Sequence, residues 1–398
     1  MSLPASTDVA ILGAGLAGLS IATWLDDLLP AQDKAPRVDL LESRLTDAPD
    51  RTWCFWDHRP HPFREMISHR WPRWCFHSTD QRVDREDHEA GYAMLSSGDV
   101  RQKAYGVIAG RDEFHLRRGV DVSQVVAQPS GMRVDTSRGS IEAQVVIDTR
   151  PPPPEALSAQ QGVWQVFHGV DIRLADHGYD LSTARLMDFQ SGSTGVEFVY
   201  LLPLDADRLL VEWTCFHADY RDPACQALMS PDQVPPPLRQ WLNTHLGDRW
   251  QVERHETGCL PMMPVQPPRS GSRYLSAGIR GGWMRPATGY MFVSCQRGAA
   301  NVASQLLKAH RSGQWQLTAP DLRSPLLEWM DGVFLNAMRR HPDRAAHWFM
   351  ALFAATNAAQ QRRFLSDEPS LADLLVIMRA LPARPFLAAA MRRLARVT

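Results

Sequence analysis

The chain is poor in the features that would place it quickly. Its six cysteines (Cys54, Cys75, Cys215, Cys225, Cys259, Cys295) include no CxxC pair in 398 residues. Neither a disulfide framework nor a cysteine-built metal site is therefore expected. His58 and His61 stand three apart, but Pro60 and Pro62 exclude the helix that would align them, so both read as loop residues and no metal is expected. Charge of one sign is missing too. The 43 basic residues nearly cancel the 44 acidic ones, which argues against nucleic acid as a partner. No apolar run approaches the ~18 residues of a membrane-spanning helix. The N-terminus has no basic flank of a secretory leader, because its first apolar stretch opens directly into a strand. The expectation is a cytoplasmic protein, soluble or peripheral at a membrane surface. What is present is 44% hydrophobic and 22% charged residues over a length that suits two or three folded domains.

The first positive signal stands at the N-terminus. Residues 9–12 read as a short buried strand, followed by Gly13-Ala14-Gly15-Leu16-Ala17-Gly18 and a helical pattern over 19–29. A second strand, 37–42, ends in Glu42, 24 residues after Gly18. In this fingerprint Gly13 makes the tight turn, Gly15 admits a pyrophosphate to the backbone, and Gly18 lets helix and strand pack closely. The pyrophosphate would rest on the helix N-terminus and Glu42 would accept from the adenosine ribose. A glycine triplet alone is a weak sign; both strands, the helix and the acid make it a strong one. Residues 51–90 are dense in Trp, Arg and His, which suits a pocket lining or a core. Further strands are expected at 91–95, near Val107, over 120–126 and at 145–147. The last ends in Asp148, at the end of the sheet where ligands bind.

Four prolines at 151–154 mark a domain crossing. Beyond them, two apolar runs, 196–202 and 209–216, flank Asp205-Ala206-Asp207 and predict a β-hairpin. Glu212 lies inside the second run. An unpaired buried carboxylate usually takes up a proton, and a carboxyl kept protonated near neutral pH is what a general acid requires. The alternative is a Glu212 facing water on an open side of the sheet, and the hairpin alone leaves both open. A second glycine-rich strand-to-helix joint follows a strand at 274–277 and runs Gly278-Ile279-Arg280-Gly281-Gly282, continuing to Thr288-Gly289-Tyr290. Backbone N–H groups of such a joint can meet the ring end of a long cofactor, so two joints imply FAD where NAD would need one. From 320 onward the pattern is helical, and its end carries Arg379, Arg384, Arg392, Arg393 and Arg396 beside Leu381, Phe386, Leu387 and Met391. Such an end is either a membrane-surface element or a cap with a solvated basic face. The fold class expected is α/β: a Rossmann-type FAD-binding domain (1–150, resumed at 258–312), an antiparallel-sheet substrate domain (151–257) and a C-terminal helical region (313–398).

Taken together, these motifs resemble the bacterial flavin-dependent lycopene β-cyclases, nearly end to end. The likeness rests on the GAGLAG start, Arg51-Thr52-Trp53, Gly91-Tyr92-Ala93-Met94, Ile147-Asp148-Thr149-Arg150, Gln165-Val166-Phe167, Leu186-Met187-Asp188, the segments 198–204 and 208–212, Glu256-Thr257-Gly258, Pro286-Ala287-Thr288-Gly289-Tyr290, and the closing segments 363–367 and 381–385. The resemblance implies reduced FAD, with NADPH or NADH as electron donor, a hydrophobic polyene substrate and membrane association. It also implies a reaction without net redox change, in which an acyclic carotenoid end group becomes a β-ionone ring. The family's essential carboxylate corresponds to Glu212. Cofactor contacts are expected from Gly13, Gly15, Gly18, Glu42, Asp148, Gly281, Gly282, Thr288 and Gly289, and cation-stabilising aromatic faces from Trp213, Trp283 or Trp53. Three departures stand out: Trp213 where the family has a second acid, Arg285 where it tends to carry histidine, and Pro151 where it tends to have glycine. Rival readings are a cyclase of another polyene or prenylated substrate, a flavin monooxygenase, and a non-catalytic carotenoid binder. The monooxygenase class normally has a late Gly-Asp, and here Ile279 follows Gly278.

Overall fold

The computed structural model describes residues 3–30, 32–47, 51–157, 162–190, 196–265 and 271–395. The first sheet has the strand order Phe114–Arg118, Val38–Glu42, Ser6–Leu12, Gly139–Asp148, Gly131–Thr136, Val122–Gln128, with Tyr274–Ser276 also on Gly139–Asp148. The three pairings around Ser6–Leu12 and Val38–Glu42, and that of Tyr274–Ser276, are parallel. Ser6–Leu12 and Val38–Glu42 are almost wholly buried, as near-continuous apolar runs in parallel sheets must be. The helices Leu16–Asp27, Ser97–Ala109 and Phe292–Ser312 pack on this sheet around one core. Val107 therefore lies in a helix, where a strand was expected. Its neighbours Val100, Ala104 and Ile108 recur at helical spacing and carry the buried face.

The second sheet is almost wholly antiparallel, in the order Gln251–Met262, Val163–Arg173, Arg208–His217, Val196–Asp205, Thr183–Gln190, Arg73–His77, Arg82–Glu86. Strands from before residue 150 thus join it, through the parallel pair Thr183–Gln190 and Arg73–His77. A three-stranded sheet of Thr52–Trp56, Tyr92–Ser96 and His69–Trp71 falls in sequence between Val38–Glu42 and Phe114–Arg118 of the first sheet. The aromatics of 51–90 divide between roles: Trp56, Trp71 and Trp74 are buried core residues, while Trp53 and Cys54 line a cavity.

Both faces of the second sheet are covered. Val199, Leu201, Leu209, Val211, Trp213 and Cys215 face a core that includes Leu238 and Trp241 of helix Pro236–Leu246. Phe198, Leu202, Leu210 and Phe216 face the other way, toward a core shared with helices Pro325–Arg340 and Pro342–Ala355. The two-residue alternation of a strand explains the split, and continuous apolar runs are what a sheet buried on both faces requires. No water-facing side exists there for Glu212. Among the described residues no single helix is long and apolar enough to cross a membrane; the helices Leu371–Ala380 and Ala383–Leu394 form a pair bent by 117°. Arg396 lies outside the described residues.

Candidate active site

A cavity of about 590 Å³ runs from the first glycine turn to the second sheet. At one end it is lined by Ala14, Gly15, Glu42, Arg44 and Arg118, and at the other by Glu212, Tyr200, Phe198 and Phe353. Gly278, Ile279, Thr288, Gly289 and Met291 line the passage between.

At the first end the local backbone explains the glycines. Gly13 has φ +100°, and a Cβ there would stand 2.9 Å from Thr149 Oγ1. A side chain on Gly18 would meet the carbonyl oxygen of Gly13. Both glycines shape the turn without touching the cavity. Gly15 borders open space and precedes the N-terminus of helix Leu16–Asp27, an arrangement that favours a phosphate. Glu42 accepts from the N–H of Ala14 (2.9 Å) and of Arg44 (3.0 Å), which holds its carboxylate at the cavity edge.

Besides Gly13 and Gly18, three more of the residues expected at the cofactor do not border the cavity. Asp148 is buried and accepts from Arg150 (2.9 and 2.7 Å) and from the Tyr274 hydroxyl (2.9 Å), with Arg280 at 3.5 Å. Its neighbour Thr149 lines the cavity instead, as strand alternation dictates. The N–H groups of Gly281 and Gly282 bond Ala277, Gly278 and Ile279 carbonyls, closing a turn on itself. They are spent on backbone, and Gly278 and Ile279 face the cavity in their place. Thr288 and Gly289 do line it, and Gly289 takes φ +72° beside Gln165 Oε1, a buried acceptor without a hydrogen-bond partner. A glycine cradle, a helix N-terminus, an acid at the second strand's end and this orphaned amide oxygen together fit an extended dinucleotide cofactor such as FAD.

Glu212 is set at the other end by the strand Arg208–His217, on the face shared with Leu210 and Phe216. Burial in this apolar wall raises its carboxyl to about 8, opposed by a 2.6 Å hydrogen bond from Thr214 Oγ1 and assisted by the nearby Glu256 charge. Its partial exposure is exposure to the cavity. Gly169 lies opposite Glu212 on one side and opposite Glu256 on the other, so two acids flank a residue without a side chain. Glu256 is tied down: it accepts from Thr52 N–H and Oγ1 (both 2.8 Å) and from Arg254 (3.1 Å). Trp213 points into the opposite core, so its replacement of an acid leaves the cavity unchanged. Trp283 is 1% exposed and packs in the first core. Neither borders the cavity; Trp53 does.

Arg285 also turns away. It is fully buried, bonds Asp331 at 2.8 Å, stands 3.5 Å from Asp367 and lies 4.2 Å over the Phe364 ring. Arg323 reaches Asp367 at 2.9 Å and also bonds the Gly282 carbonyl. This network anchors the 282–289 segment to the C-terminal helices. Three tyrosines whose hydroxyls meet at the inner end, Tyr92, Tyr200 and Tyr290, also line the cavity, as do Cys54 and Gln165; the motifs contained them without assigning them a role. Tyr200 was legible in principle, because it stands directly across the hairpin from Glu212.

The chain from residue 8 to 391 matches the family model described as "Lycopene cyclase protein". It is 30% identical to a lycopene beta-cyclase of Pantoea ananas over 307 residues, covering 71% of this chain and 70% of that one. A lycopene beta-cyclase of Pseudescherichia vulneris is 29% identical over 310 residues, with 71% and 70% covered. The fold resembles a flavoprotein/dehydrogenase from Cytophaga hutchinsonii with a TM-score of 0.61 at 10% identity, covering 98% of this chain and 100% of that one. Extent of match, fold and a buried acid on the cavity wall agree, and the chain belongs to the lycopene cyclase family.

Proposed function

We propose that this protein binds FAD along the cavity and closes an acyclic carotenoid end group into a β-ionone ring, with Glu212 as the acid. One observation carries the reading: a carboxyl raised to about 8 stands on the cavity wall on the same strand face as Leu210 and Phe216. An alkene is a very weak base, so it needs a positioned, protonated donor; a general acid typically contributes about 10²–10⁴-fold. Glu212 would give its proton to the terminal double bond, and the neighbouring double bond would then attack the resulting cation. Trp53 and the cavity tyrosines offer π faces to that cation. Gly15, Glu42, Gln165, Thr288 and Gly289 would hold the cofactor, which in its reduced, negatively charged state would supply electrostatic stabilisation to a cation. In favour of the reduced state, the N-terminus of the 21-residue helix Phe292–Ser312 opens at the cavity through Met291 and Phe292, and such an end favours negative charge. NADPH or NADH is the proposed electron source.

Peripheral association with a membrane belongs to the same reading, since the substrate is a lipid. Leu371, Leu375, Met378, Leu387, Met391 and Leu394 are each more than half exposed, six of the ten large exposed hydrophobics among the described residues. Arg379, Arg384 and Arg392 are exposed beside them, a combination suited to an anionic bilayer. The test is anaerobic incubation with lycopene, FAD and NADPH in liposomes, followed by chromatography. A β-ring product is expected; unchanged lycopene over a protein that has kept its flavin overturns the reading.

A further inference from the structure

Ring closure leaves a cation that must still lose a proton, and which proton leaves decides where the ring double bond lies. Glu212 gives its proton to the terminal double bond, whereas the proton to be lost sits on a different carbon of the closed ring, which calls for an acceptor placed elsewhere on the wall. The cavity offers another set of oxygens. Tyr200, on the strand opposite Glu212, donates to the Tyr92 hydroxyl at 3.2 Å, and Tyr92 lies 3.1 Å from the Tyr290 hydroxyl. The three come from separate elements: the hairpin, the three-stranded sheet and the segment after Gly289. Trp56 packs against both Tyr92 (4.8 Å) and Tyr290 (5.5 Å) and fixes their rings. The Tyr200 hydroxyl also meets the Cys54 thiol, and the phenol oxygens of the chain keep lone pairs that can accept a proton.

We propose that Tyr200, Tyr92 and Tyr290 form the proton-accepting wall of the site, taking the proton from the closed ring and returning one to Glu212, and thereby fixing the double-bond position. This rests on the cyclase reading above. The step balances: the Glu212 O–H bond breaks as the π pair of the terminal double bond forms a C–H bond, and the π pair of the neighbouring double bond forms the C–C bond that closes the ring. A ring C–H bond then breaks, its electron pair becomes the ring C=C, and the proton enters a phenol lone pair. Tyr200 stands directly across the hairpin from Glu212, and a hydroxyl proton passed across that gap to the carboxylate would restore the acid with no electron gained or lost. Burial keeps all three phenols neutral by raising them well above their ordinary range. Acceptance and onward transfer are therefore coupled, with no standing phenolate.

The test compares Tyr200→Phe, Tyr92→Phe and Tyr290→Phe in the flavin-loaded protein with lycopene in liposomes. It reads turnover, the ratio of ring isomers, and flavin retained after gel filtration. For Tyr200→Phe turnover falls on the order of 10²-fold, and isomers with a displaced ring double bond appear beside the parent product. Smaller shifts in the same ratio follow for Tyr290→Phe. Slower turnover with the parent's isomer ratio in all three variants overturns the proposal while the cyclase reading stands. A parent protein that keeps flavin yet forms no ring sinks both. Phenylalanine preserves the packed ring, and should Tyr92→Phe lose flavin, the other two variants still decide the outcome.

Discussion

The buried acids of the two large sheets differ in how fully they are partnered. In the first, Asp39 is met by Arg117 at 2.8 Å, Asp148 by Arg150 and Tyr274, and Glu42 by two backbone N–H groups. In the second, Glu212 has a single hydroxyl partner while Glu256, on the far side of Gly169, has Thr52 and Arg254. The paired acids hold structure together; the under-partnered one is left with its proton and faces a cavity. An acid perturbed by burial in a cleft is a mark of function, whereas a saturated ion pair usually marks architecture.

The contrast can be broken most severely at Glu212 itself. Glu212→Gln keeps shape and flavin but removes the transferable proton, so ring formation should fall about 10²–10⁴-fold, measured as product formed by flavin-loaded protein. Retained turnover would mean that another group is the acid. The opposite class of charge is tested by Arg285→Met, which leaves Asp331 buried without its cation and Asp367 with Arg323 alone. Loss of one partner of a buried pair costs about 3–5 kcal/mol, read as a lower denaturant midpoint. In the first glycine turn, Gly13→Val meets both the positive φ and the Thr149 hydroxyl. A strained backbone position costs on the order of 1–3 kcal/mol, and flavin affinity should weaken accordingly in a titration, with the fold intact.

The acid also predicts a pH dependence. With Glu212 raised to about 8, turnover should be level below that pH and fall as pH rises through it, because the protonated form is the donor. Stability follows by linkage. The folded state keeps a proton that the unfolded chain releases near 4.5, so between 4.5 and about 8 stability declines as pH rises. Glu212→Gln should flatten that slope in thermal melts taken across the range. The smallest effect is expected at the C-terminal pair: Leu387→Glu with Met391→Glu should weaken co-sedimentation with anionic liposomes and leave bound flavin unchanged.

Much of the first sheet was legible because its signals are local. A turn that needs glycine, a helix N-terminus and an acid ending the next strand occupy one stretch of about thirty residues, in the spacing that a βαβ unit requires. The second glycine joint was legible only in outline. Whether an N–H faces a ligand or closes its own turn depends on where the chain folds back, and Gly281 and Gly282 close their turn while Gly278 and Ile279 face the cavity. Val107 misled because a short apolar alternation fits a strand and a helix face alike.

From its residues alone the chain specified an FAD-type turn, a hairpin with a misplaced carboxyl, and a likeness to one family, since each is written in neighbours along the sequence. Only tertiary packing decided that the hairpin is covered on both faces, and hence that Glu212 looks into the cavity while Trp213 looks away. It alone brought Tyr92, Tyr200 and Tyr290 to one point from positions up to 198 residues apart. Proton affinity and hydroxyl contacts depend on what surrounds a group in space, and that environment is assembled by segments far apart in the chain.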